Sequence, residues 1–209
     1  MKRASQAPWP EFAGPGQVVP MFPLPGVFLF PGTMMPLHIF EPRYRQMIED
    51  SLDGPGRIVM GTVLEGHEPE LALAPPVHAI AGLGEIMRHD RLPDGRFLIL
   101  LAGLARVRLR EAPSERAYRK VEILPLEEHE PDPIDAIALR ADLVAALQAR
   151  SPEALDLPAQ LQLSQLADLL LIRLELPVSE LLPLYSTLDI GVRARRALTL
   201  HVARPPRAP

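Results

Sequence analysis

Between Glu11 and Glu41 the chain carries no Asp, Glu, Lys or Arg, yet prolines fall at 15, 20, 23, 25, 31 and 36. A continuous apolar helix cannot absorb that many missing backbone donors and ring clashes. The segment must therefore be short extended pieces joined by turns. Pro25-Gly26 and Pro31-Gly32 supply two turns, with proline presetting φ and glycine free to take positive φ. Between them, Val27-Phe28-Leu29-Phe30 reads as a short strand buried on both faces. Residues 34–40 form a second extended run. Glu41-Pro42 then opens a helix, since proline suits the first helical turn. That helix is expected to run to Leu52, ahead of Asp53-Gly54-Pro55-Gly56.

Residues 57–64 are rich in β-branched side chains and read as a central strand. A polar, proline-containing excursion follows over 65–76. Residues 77–91 and 96–110 flank Leu92-Pro93-Asp94-Gly95, where Asp-Gly between apolar runs signals a hairpin and predicts a type I′ turn. The second arm ends Arg106-Val107-Arg108-Leu109-Arg110, an alternation that places three arginines on one face. Gly82, Gly84 and Gly103 mark expected bulges or close approaches. A last strand is expected over 118–126.

Composition then changes. Glu127 to Pro133 (EEHEPDP) is an acidic, proline-closed linker, and no strand pattern follows it. Ile134, Ile137, Ala138, Ala141, Val144, Ala145 and Gln148 keep helical spacing. Further helices are expected over 161–174, 177–185 and 189–202, the last capped by Asp189. Short connections between amphipathic helices imply a bundle. The chain thus divides into an irregular lead-in (1–17, with Trp9 and Phe12 docking on the body), a β-rich part (18–128), a helical part (129–204) and a tail (205–209). The fold class is α+β.

The 209 residues suffice for a sizeable core. The net charge of −4 and pI near 5.9 argue against nucleic acid, which draws a basic footprint. Of 22 basic residues only Lys2 and Lys120 are lysines. Zero cysteines exclude disulfides, thiolate metal sites and cysteine nucleophiles. The start of the chain lacks a signal-peptide apolar core, and no apolar run approaches the roughly 20 residues of a spanning helix. A cytoplasmic protein without a membrane segment is expected.

No catalytic constellation emerges. Neither a GxxxxGK[ST] phosphate loop nor a GxGxxG, GxSxG or HExxH pattern occurs. A Ser–Lys pair would need Lys120, which has Glu122 beside it on one strand face. The six histidines (38, 67, 78, 89, 129, 201) show no i, i+4 pair. Glu65, His67 and Glu68 read as a solvated charge run, not a metal site. Glu41 reads as an N-cap or an ion-pair partner of Arg43, Arg45 or Arg106. Catalytic residues, metal ligands and cofactors are therefore all expected to be none. What remains is apolar surface. Adjacent methionines on a strand point to opposite faces, so one of Met34 and Met35 is expected outside. Flexible thioethers suit promiscuous binding of unfolded segments. Met34, Met35, Leu37 and Phe40 are the candidate peptide-binding residues.

LPGVFLFPG (24–32) followed by PLHIFEPRYRQMIED (36–50) resembles the opening of the Lon protease amino-terminal domain family, in its short stand-alone bacterial form. The similarity continues through GLGEI (82–86), RLPDGRFLILLAGLARVRLRE (91–111) and QLADLLLIRLELP (165–177), which covers nearly the whole chain. It implies a PUA-like twisted β-sheet or barrel with one short helix, followed by a bundle of about four helices. In full-length Lon this domain engages protein substrates and helps assemble the hexamer, ahead of ATPase and Ser–Lys peptidase parts. The sequence ends at Pro209, so the resemblance implies neither engine and carries over no catalytic residue. It implies a non-enzymatic module that binds unfolded or partly folded polypeptides, an adaptor to a protease or chaperone, with homo-oligomers compatible. The alternatives are an RNA-binding PUA-like module using Arg106, Arg108 and Arg110, and a hydrolase using His38 with Glu41.

Overall fold

The computed structural model describes residues 16–68, 74–150, 157–158 and 160–205. The expected docking of Trp9 and Phe12 lies outside them. The chain divides into two compact units, 1–126 and 127–209. The first holds strands β1 (Gln17–Pro25) and β2 (Met34–Ile39), helix α1 (Pro42–Leu52), then β3 (Arg57–Val63), β4 (Ile80–Arg91), β5 (Phe97–Ala112) and β6 (Lys120–Pro125). The second holds helices α2 (Pro133–Arg150), α3 (Leu163–Arg173), α4 (Val178–Tyr185) and α5 (Ile190–Ala203). The class is α+β.

β5 is the spine of the first unit. It pairs along its length with β4, and on its other edge first with β2 and then with β6. β6 pairs with β1, β1 runs parallel to β3, and β3 pairs with β4, so β5-β4-β3-β1-β6 closes into a ring. β2 hangs outside that ring on β5 alone. Val19, Met21, Val59, Leu83, Val107 and Ile123 fill the ring. On the other side of the sheet, Phe22, Ile58, Met60, Ile99 and Leu101 pack against Tyr44, Met47 and Ile48 of α1. β1 and β3 therefore bury alternate residues in two different cores, which is why both read as unbroken apolar runs.

Both Pro-Gly turns form, with Gly26 at φ +68° and Gly32 at φ +77°. The segment between them is not the strand that its composition suggests. Residues 27–30 are irregular, although Phe28, Leu29 and Phe30 are buried. Their backbone groups are held otherwise: Thr62 Oγ1 donates to the Val27 carbonyl (2.6 Å), and Thr33 donates to Phe30 through both N–H and Oγ1. The hairpin also departs from expectation. Gly95 takes φ +81°, while Asp94 is not among the positive-φ residues, so the turn is not type I′. Gly95 N–H donates to Leu92 C=O (2.8 Å), centring the turn on Pro93-Asp94. Proline at the first central position presets that frame, and glycine takes the left-handed residue after it.

α1 begins after an extended Glu41, whose carboxylate bonds Arg43 (2.9 Å) instead of capping the helix. In the second unit α2, α3 and α5 pack on one another. Asp189 accepts from Val192 N–H (2.8 Å) and caps α5. α2 forms where the helical spacing predicts; its buried residues are Leu139, Leu143, Ala146 and Leu147, while Ile134 and Ile137 are 79% and 73% exposed. The bundle takes the face on which three leucines recur at successive turns. Arg193 of α5 is fully buried between Asp168 of α3 (3.0 Å) and Glu128 of the linker (2.7 Å), and also donates to Thr187 C=O.

Candidate functional site

β2 owes its place to its sequence neighbours. Gly103 N–H donates to Thr33 C=O (2.8 Å), which starts the antiparallel ladder with β5. Met35, Leu37 and Ile39 follow at period two and face Leu101, Ile99 and Phe97. Their side chains lie on the inner face, where Ile39 is fully buried and Met35 and Leu37 pack against the core. Met34, Pro36 and His38 alternate outward and are exposed, as is Phe40 just beyond the strand. Met34 is 50% and Phe40 60% exposed. The His38 and Phe40 rings lie 6.0 Å apart, so Phe40 continues the outer row.

The four candidate residues therefore divide into two roles. Met34 and Phe40 form surface, whereas Met35 and Leu37 are half-buried supports for it. The structure adds two residues that the sequence reading passed over. Leu100 lies opposite Pro36 and Leu98 opposite His38, and Leu98 is 44% exposed on the same face. Phe97-Leu98-Ile99-Leu100-Leu101 is apolar throughout, so its in-out alternation leaves no trace in residue type. Charges bordering the row are paired among themselves: Glu41 with Arg43, Arg88 with Asp90 (3.2 Å) and Arg91 with Glu49 (3.0 Å).

The arginine row does not form a basic face. Arg106 is buried with its guanidinium 5.5 Å from the Phe30 ring, and Arg110 bonds Glu122. A concavity of this unit, about 330 Å³, is walled by polar groups including Asp50, Ser51, Arg57, Arg116, Tyr118 and Lys120. There Tyr118 Oη donates to Asp50 (2.7 Å), which also bonds Arg116 (3.0 Å). Burial and the Asp50 carboxylate push the Tyr118 hydroxyl up to about 12, so it stays protonated. Two serines share cavity walls with Lys120, but Ser51 donates to Met47 C=O and Ser114 to Tyr118 C=O. Among the described residues no group of three or more His, Asp or Glu side chains is placed to hold a metal. No described helix is long and apolar enough to cross a membrane.

Residues 18–202 match the family described as the ATP-dependent protease La (LON) substrate-binding domain. The chain belongs to this Lon substrate-binding domain family. Lon protease of Flavobacterium johnsoniae is 29% identical over 118 residues, covering 56% of this chain and 14% of that protein. Lon protease of Brucella suis is 22% identical over 201 residues, covering 92% of this chain and 25% of that protein. The chain thus spans a quarter or less of these curated relatives. Two solved structures share its fold. The N-terminal domain of the Mycobacterium avium complex Lon protease superposes with TM-score 0.68 at 19% identity, covering 89% of this chain and 98% of that one. The Lon N-terminal domain protein from Xanthomonas campestris does so with TM-score 0.61 at 23% identity, covering 88% and 98%. The Lon amino-terminal resemblance read from the sequence motifs is therefore shown, and the matched region is the substrate-binding domain.

Proposed function

We propose that this chain is a non-catalytic polypeptide-recognition module, an adaptor that presents unfolded or partly folded proteins to a cytoplasmic protease or chaperone. The supporting observation is the outer row of β2, where Met34 and Phe40 stand half or more exposed on an uncharged strand beside exposed Leu98. Single exposed hydrophobics are ordinary, whereas apolar exposure grouped on one face marks binding surfaces, and Met34, Leu98 and Phe40 share the outer face of the β2–β5 pair. Thioether and aromatic groups adapt to many partners and supply apolar contact without fixing one sequence. Family membership supports the same reading, because the matched domain is described by its binding of protease substrates. In the polar cavity Tyr118 is held protonated and its neighbour Asp50 is ion-paired with Arg116.

A reduced, carboxymethylated protein, which cannot refold, tests this directly. The wild type is expected to bind it. Replacing Met34 and Phe40 together by Asp is expected to weaken binding by about tenfold, because both charges must desolvate against apolar guest side chains. Since both side chains are outside the core, the melting temperature is expected to stay within a few degrees. Undiminished binding by the folded double variant would remove this surface from the reading.

A further inference from the structure

We infer that an extended polypeptide segment docks here as an added β-strand along the open edge of β2. This rests on the polypeptide-recognition reading and adds the mode by which the guest is held. In an antiparallel ladder the residues that bond their neighbour alternate with residues whose N–H and C=O point the other way. The Gly103-to-Thr33 bond fixes the phase: Met35, Leu37 and Ile39 bond β5. Met34 and His38 therefore direct N–H and C=O to the opposite edge, and Pro36 directs C=O alone. Among the described residues β2 has no strand neighbour on that side. The one proline of the strand stands where its missing N–H costs the β5 ladder nothing, as edge-strand prolines do.

The guest's chemistry follows from comparison with the other open run of the same sheet. Beyond Ile86, whose N–H donates to Gly56 C=O, β4 has only β5 beside it among the described residues, and that run carries Arg88, Asp90 and Arg91. Charges along an edge discourage further pairing. β2 carries no formally charged side chain, so its edge lacks that protection. Its outward side chains are Met34, Pro36 and His38, with neither a carboxylate nor a lysine or arginine among them. The fitting guest is an extended, neutral segment with apolar residues at alternate positions. One guest carbonyl falls opposite Pro36 without a donor in whichever frame the guest pairs, so the edge lacks one bond of a full ladder. Recognition then reads main chain and extended conformation, with side chains as a secondary filter. A folded helix cannot offer these groups.

The probe is an N-acetylated, C-amidated ten-residue peptide alternating Leu or Phe with Thr, together with a series of it N-methylated at one backbone position each. Binding is measured to the full chain and to Pro36→Ala, and amide exchange is followed by NMR. Methylation at every second position should weaken binding roughly tenfold, with the intervening positions nearly neutral, because only alternate amides face β2. The amides of Met34 and His38 should gain protection. Pro36→Ala, which restores a donor, should bind about threefold or more tighter with unchanged far-ultraviolet circular dichroism. Position-independent N-methylation, or no added protection on a bound peptide, would overturn strand addition. So would failure of this peptide while the carboxymethylated protein still binds through Met34 and Phe40, which leaves the recognition reading standing. Loss of both ligands overturns both. A concentration-dependent dimer with Met34 and His38 already protected would give the edge to a second copy and overturn the inference.

Discussion

Gly103 shows how one residue decides the path of a segment far away in sequence. A Cβ built there would lie 2.0 Å from the carbonyl oxygen of Phe30, a backbone atom with no side-chain freedom to move aside. Only glycine lets residues 27–30 press onto β5 at this point. Gly103→Ala is expected to destabilise the first unit by about 1–3 kcal/mol through overpacking, checked by denaturant unfolding. His201 carries a different residue-level consequence. Arg150 Nε donates to its Nδ1 (2.9 Å), and burial followed by the Arg150 charge lowers its pKa below the usual 6.5. As pH falls through about 6.5 the unfolded chain therefore takes up the proton first. Stability from His201 is present above that pH and is lost until the lower folded pKa is passed. His78 shifts in the same direction, chiefly through burial. His201→Gln, which keeps an acceptor for Arg150, should flatten the loss of second-unit stability between pH 7 and pH 5 in thermal melts. The turn glycines 26 and 32 were legible because Pro-Gly names its own geometry. The role of Gly103 was legible only as a close approach, because its partner is set by tertiary packing.

At the scale of elements, boundaries were read better than faces. Pro42 fixes the start of α1 and Asp189 the cap of α5, since both act on their own backbone. Residues 27–30 carry a strand's composition without forming one, because an apolar tetrapeptide between turns has the same sequence whether or not a partner strand is in reach. The hairpin turn departs from the Asp-Gly pattern because Pro93 shifts the central pair by one residue. In α2 the spacing gives the helix, and Leu139, Leu143 and Leu147 at i, i+4 and i+8 mark the face that packs. Three elements meet at Arg193, where the linker's Glu128 and Asp168 of α3 converge on α5. Arg193→Met should destabilise the second unit by about 3–5 kcal/mol, because Asp168 is left charged and buried. Adding Asp168→Leu should recover much of that loss, and additive costs in the double variant would contradict the coupling.

Across the whole molecule, the α+β class and family were legible because turn motifs and proline positions recur along the chain. The candidate surface was legible only in part. Met34 and Phe40 stand outside as an alternating strand requires, but Leu98 and Leu100 emerge only from the β2–β5 register. Openness of the β2 edge is likewise a property of topology. A ring of five strands leaves one strand outside it, and that strand is uncharged. Another exposed apolar feature, Ile134 and Ile137 on α2, belongs to the second unit and supplies an internal comparison. The deciding measurement is amide chemical-shift mapping of the isotopically labelled chain titrated with the carboxymethylated unfolded protein. Recognition at β2 predicts perturbations concentrated at residues 34–40 and 98–100, with α2 unmoved. Perturbations confined to 134–145, or none at β2 in the presence of binding, would contradict it.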